Sequence, residues 1–184
     1  MGRLTCALNV VDESIDRERK LPDQVFTGRW RAFLIFASDN MFSKDFVALI
    51  KEVIRLENAE CVALVNLSRD APFQRSVIAI DGRTSPDKYM ASLREGGPSN
   101  GWIYDVERYG CASDSGAWAI YAERLNDVAV LGFRSVDSRS PLATIFASLC
   151  AATVDKYDDS DSTSIIGAPG SDWRSAMLSN YRCD

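Results

Sequence analysis

Residues 115–134 read SGAWAIYAERLNDVAVLGFR, two runs of aromatic and aliphatic residues on either side of a short polar stretch. The alternation in AWAIYAE and DVAVLGF suits pleated strands, whose successive side chains go to opposite faces. Between them Leu125, Asn126 and Asp127 supply turn chemistry, so the stretch predicts an antiparallel hairpin turning at Leu125 to Asp127. GWIYDV, which starts at Gly101, is a third β-rich segment, and the three together predict an antiparallel meander. Trp118 and Ile120 go to one side of their strand, while Tyr121 and Glu123 alternate differently. One face is therefore expected under helices and the other partly wet.

Working upstream, RWRAFLIFA reads as a buried strand and ECVALVNL as another. Between them Ser43 caps a helix in which Phe46, Leu49, Ile50, Val53 and Ile54 recur at helical spacing. This strand, helix and strand over residues 30–67 resemble a βαβ unit, with the direction of the second strand left open. RSVIAIDG is a further strand, and Ser85-Pro86-Asp87 opens a helix that Gly96-Gly97 ends. At the N-terminus TCALNVV reads as a strand and DESIDRERKLPD as a charged surface connection.

Downstream, Ser140-Pro141 starts a helix with an apolar stripe of Leu142, Ile145, Phe146, Leu149 and Cys150. Ser171 caps a last helix bearing Trp173, Met177, Leu178 and Tyr181. The pattern predicts the α+β class: one domain over residues 1–184, with a mixed, mostly antiparallel sheet covered by three or four helices.

Composition sets the limits of function. A chain of 184 residues, 46% hydrophobic and 26% charged, has globular composition, and at this size folding buries roughly 70% of the surface of the unfolded chain. Its apolar runs are of strand length, well short of the ~20 residues that cross a bilayer. No membrane segment and no secretion signal are expected. Cys6, Cys61, Cys111, Cys150 and Cys183 are scattered without a C-x-x-C pair, which argues against structural zinc and a disulfide scaffold and for a cytoplasmic setting. Cys61 and Cys150 read as small core residues.

The chain has no histidine, which removes the commonest general base, the usual hydrolase triad and most catalytic zinc sites. No phosphate-binding loop or dinucleotide fingerprint is present. Asp158, Asp159 and Asp161 suggest calcium, but a loop register beginning at Asp159 puts Ser164 where glycine is needed and Gly170 where glutamate is needed. That segment reads as a solvated acidic loop, and no metal or cofactor is expected. Asp105, Glu107, Glu123 and Asp127 lie near the proposed meander and leave open a small enzyme working through carboxylates or cysteine without histidine. A net charge of −5 opposes nucleic-acid binding and suits a protein partner with a basic surface.

Trp118, Ile120, Tyr121, Glu123, Arg124, Ala129, Val130, Leu131 and Gly132 carry a resemblance. The hairpin is similar to the W-x-I-Y…E-R…I-A-V-L-G type found in small bacterial immunity proteins of polymorphic-toxin systems. The resemblance covers about 20 residues of the 184. It implies a cytoplasmic protein that binds a cognate toxin domain and blocks its active site or substrate entrance, with no catalysis of its own. On this reading Trp102 and Trp118 pack in the core, and Tyr121, Glu123 and Arg124 meet the partner. Asp105, Glu107, Asp158, Asp159 and Asp161 then form an acidic rim. A structural adaptor remains the third alternative.

Overall fold

Every residue of the strand Trp118–Glu123 is buried, and so is every residue of Val128–Phe133. Strands of this kind need helices on both faces of their sheet. The computed structural model, which describes residues 2–68, 76–97, 101–134, 141–153 and 171–182, has that architecture. Its strands are β1 (Ala32–Phe36), β2 (Cys61–Asn66), β3 (Val77–Asp81), β4 (Arg108–Ser113), β5 (Trp118–Glu123) and β6 (Val128–Phe133). They form one sheet in the order β1-β6-β5-β4-β2-β3, with every neighbouring pair antiparallel. The helices are α1 (Arg3–Ser14), α2 (Lys44–Glu57), α3 (Pro86–Arg94), α4 (Trp102–Asp105), α5 (Pro141–Ala147) and α6 (Ser171–Tyr181).

Alternate residues of each strand feed two separate cores. Trp118, Ile120 and Ala122 join Leu131 and Phe133 beneath α2, α3 and α5, which contribute Phe46, Ile50, Tyr89, Leu93, Leu142 and Phe146. Ala119 and Tyr121 join Val128, Val130 and Phe33 on the opposite face, where α1 supplies Ala7 and Val11 and α6 supplies Met177 and Tyr181. The partly wet face expected from the alternation is thus a second core. The α+β class holds, as one unit with an antiparallel sheet between two helical layers.

Of the helix starts read from sequence, two form as expected, while Ser171 is itself the first residue of α6 and Ser140 lies outside the described residues. Ser43 Oγ accepts from the Phe46 amide at the start of α2, and Ser85 Oγ accepts from the Lys88 amide at the start of α3, with Pro86 in the first turn. The hairpin also forms, pairing Trp118 with Phe133 through Glu123 with Val128, and its turn spans Arg124 to Asp127. β1 and β2 run in the same direction on either side of α2, but β6, β5 and β4 lie between them. The βαβ resemblance is therefore a split one, in which the meander fills the gap.

Three expectations are corrected. TCALNVV lies in α1, where the buried residues Ala7, Val11 and Ser14 stand four and three apart; two of the three are small, so the stripe is inconspicuous in sequence. GWIYDV contains the single helical turn α4, which buries Trp102 and leaves Tyr104 out. The third strand of the meander is RYGCAS, β4. Its small residues mask its β character, and Gly110 has a physical reason: a Cβ there would stand 2.8 Å from Ile15 Cδ1 and 3.0 Å from Val11 Cγ1. Finally, α5 ends at Ala147, and Cys150 is exposed in the left-handed region at φ 58° instead of lying on an apolar stripe.

Candidate functional site

The turn joining β5 to β6 is held rigidly to its surroundings. Asp127 takes the left-handed conformation, φ 47°, which aspartate tolerates better than most residues. Its Oδ1 accepts from Ser38 Oγ at 3.0 Å and from the Asp39 amide at 3.3 Å. Arg124 has its amide on the Glu107 carbonyl at 2.8 Å, its Nη1 on the Ile103 carbonyl and its Nε 3.3 Å from Asp39 Oδ1. The guanidinium also lies 5.4 Å from the centre of the Phe42 ring, which stacks on Tyr109 at 4.9 Å. Tyr109 donates in turn to the Ser38 carbonyl at 2.8 Å.

From this mount Leu125 projects into solvent, 93% exposed, and Tyr104 of α4 stands beside it at 58%. With Ile103, Val106, Glu107 and Arg124 they line a shallow cleft of about 520 Å³. Glu107 is exposed at its rim. An apolar tip on a fixed turn, bordered by a carboxylate and an arginine, is suited to meeting another protein surface.

The residues proposed from sequence divide. Glu107 and Arg124 meet at this cleft, and Asp105 ends the helix that forms its wall. Tyr121 and Glu123 are interior, 0% and 6% exposed, and are withdrawn as contact residues. Glu123 Oε1 accepts from the Leu21 amide at 2.8 Å and from Tyr121 Oη at 2.7 Å, and Oε2 accepts from Asn126 Nδ2 at 2.8 Å. The pair therefore ties the 15–27 connection to the sheet, and burial, reinforced by Glu123, pushes the Tyr121 phenol far up. Asp158, Asp159 and Asp161 lie outside the described residues. Trp102 and Trp118 are core residues, as expected. Leu125 and Tyr104 were missed. For Leu125 a signal existed, because a large apolar residue inside the ERLND turn of a tight hairpin has no core to enter.

A second polar cluster sits at the opposite end of the hairpin. Glu57, the last residue of α2, has Oε2 accepting from Trp118 Nε1 at 3.0 Å and from Ser113 Oγ at 3.1 Å. Ser115 Oγ is 2.5 Å from Ser113 Oγ, and it accepts from the Ala117 amide. Because Ser113 spends its proton on Glu57, Ser115 must donate to Ser113, so the hydroxyls point in series at the carboxyl. Glu57 Oε1 is buried and has no partner among the described residues. Burial raises the pKa of Glu57, and nearby Asp114 adds to the rise against the lowering effect of these donors. The cluster fastens the end of α2 to β4 and β5.

Among the described residues no group of three or more His, Cys, Asp or Glu is placed to hold a metal ion, and no helix is long and apolar enough to cross a membrane. Burial raises the Cys61 thiol to about 11 and the Cys111 thiol further, so neither favours the thiolate that a nucleophile requires. No protein-family model, no curated protein and no solved structure matches this chain.

Proposed function

We propose that this protein is a cytoplasmic immunity protein, which binds a cognate toxin domain and neutralises it without catalysis. The observation that carries the reading is Leu125, an apolar side chain 93% exposed on a turn that Arg124 and Asp127 hold in place. Leaving a leucine there gains nothing for folding, whereas burial of a leucine-sized side chain against a partner is worth roughly 1.5–3 kcal/mol. Tyr104 supplies an aromatic anchor of the kind that dominates binding energy, and Glu107 an acidic rim. The net charge of −5 favours a toxin with a basic surface, because opposite fields speed encounter. The hairpin motif around Trp118 and Leu131 supports the same reading by resemblance.

The test is co-expression of the chain with the product of its neighbouring gene. Rescue of growth, together with a stable complex that Leu125→Asp weakens, supports the proposal. Growth arrest unaffected by the chain, with no complex formed, rejects it. The enzyme alternative has one observation of its own, the raised carboxyl of Glu57 beside Ser113 and Ser115. It expects turnover that Glu57→Gln abolishes while the complex with the neighbour's product is unaffected.

A further inference from the structure

The two edges of the sheet are finished differently. At the β1 edge, Ile35 donates to the Ala152 carbonyl at 2.8 Å and accepts from the Ala152 amide at 2.9 Å, so a passing segment closes the ladder. At the β3 edge the phase of the ladder shows which groups face outward. The Asn66 amide donates to the Ser76 carbonyl, and β2 pairs with β3 in the register Leu64 to Ile78 and Val62 to Ile80. On the other side of β2, the Leu67 amide donates to Arg108 and the Asp114 amide to Cys61. Even-numbered residues of β2 thus bond to β3 and odd-numbered ones to β4. Ile78 and Ile80 turn their backbone groups inward, and Val77 and Ala79 turn theirs out.

Asp81 occupies its own outward groups locally, its amide on Thr84 Oγ1 at 3.0 Å and its carbonyl on the Thr84 amide at 3.1 Å. The amides and carbonyls of Val77 and Ala79 have no partner among the described residues. Beside them runs a groove of about 240 Å³, walled by Ser92 of α3, Glu95 and Trp102.

We infer that this groove takes an extended segment of another polypeptide, added to the sheet as a seventh strand on β3. Val77 and Ala79 each offer one donor and one acceptor at the two-residue repeat of a strand, the pattern that strand addition uses. The occupant is a bare strand. A second copy of β3 would bring its own α3 to the same face, into the space that Ser92, Glu95 and Trp102 already wall. On the opposite face α1 packs over β2, β4 and β5, which leaves Ala79 exposed. Alternate side chains of the incoming strand therefore meet Trp102 or water. Among the described residues that line the groove Glu95 is the charged one, so the segment carries a basic side chain opposite it. This inference does not depend on the toxin reading.

Amide exchange in the free protein comes first: Ile78 and Ile80 exchange slowly, and Val77 and Ala79 exchange fast. Peptides selected on the protein from a phage-displayed library of random short sequences then slow Val77 and Ala79 by about ten-fold or more. Ala79→Pro removes an outward donor and no bond to β2, so the sheet is kept and peptide affinity falls about ten-fold or more. Should Ala79→Pro fail to fold, Glu95→Lys decides instead, weakening the basic peptides while circular dichroism and melting stay unchanged. The inference is overturned if Val77 and Ala79 are slow at every protein concentration, which means the chain covers its own edge. It is overturned also if they slow only as concentration rises, which means a second copy, or if no selected peptide protects them.

Discussion

Glu57, at the end of α2, and Glu123, at the end of β5, are partly and wholly withdrawn from water, and their surroundings set them apart. Glu123 has donors on both oxygens, from Leu21, Tyr121 and Asn126. Glu123→Ala strips a partner from each and is expected to cost about 3 kcal/mol, read as a lower urea midpoint at unchanged slope. Tyr121→Phe keeps the ring and drops the hydroxyl that reaches Glu123 and, at 3.4 Å, the Arg19 carbonyl, and should cost less, about 1–2 kcal/mol. Glu57 instead has donors on one oxygen and a raised pKa, with burial as the leading cause. The folded state then holds the Glu57 proton at pH values where the unfolded chain, with the ordinary carboxyl value of 4.5, has released it. Stability from this group falls as pH rises from about 4.5 through the folded pKa, because the native state binds more protons in that window. Glu57→Gln removes the titration, so its melting temperature relative to wild type should rise from pH 5 to pH 8. A difference that stays constant over that range would mean Glu57 is ionised throughout.

At the scale of elements, β4 and α1 are adapted to each other. Gly110 lets Val11 and Ile15 approach the sheet, and Gly110→Ala should cost about 1–3 kcal/mol by overpacking, measurable by chemical denaturation. The same adaptation explains what was legible in the sequence. Ser43, Ser85 and the hairpin of β5 and β6 were readable because capping and turn formation are local and each has its own side-chain chemistry. RYGCAS was not readable as a strand, since its small residues answer a helix that arrives from a hundred residues earlier in the chain. α1 was missed for the reciprocal reason, its buried face being built of Ala7, Val11 and Ser14. At the candidate site Glu107 and Arg124 were legible as charges next to a turn. The burial of Tyr121 and Glu123 was not, because it depends on the 15–27 connection folding back over β5.

At the scale of the molecule, among the described residues, helices on both faces leave the ends of the sheet and its β3 edge as the places where the sheet itself meets solvent. The turn end carries Leu125, Tyr104 and Glu107 on a rigid mount, and it is there that binding is proposed. Leu125→Asp touches no core residue, so its effect on stability should stay within about 0.5 kcal/mol. Glu107→Lys is likewise exposed and should slow association with a basic partner and flatten its salt dependence, with dissociation little changed. The decisive measurement is the association and dissociation of this chain with the product of its neighbouring gene, for wild type and Leu125→Asp, at low and high salt. A stable wild-type complex, with dissociation from Leu125→Asp faster by about ten-fold or more, is the expected result. A Leu125→Asp variant that is folded and binds with wild-type kinetics, or a wild-type chain that forms no complex, would contradict it.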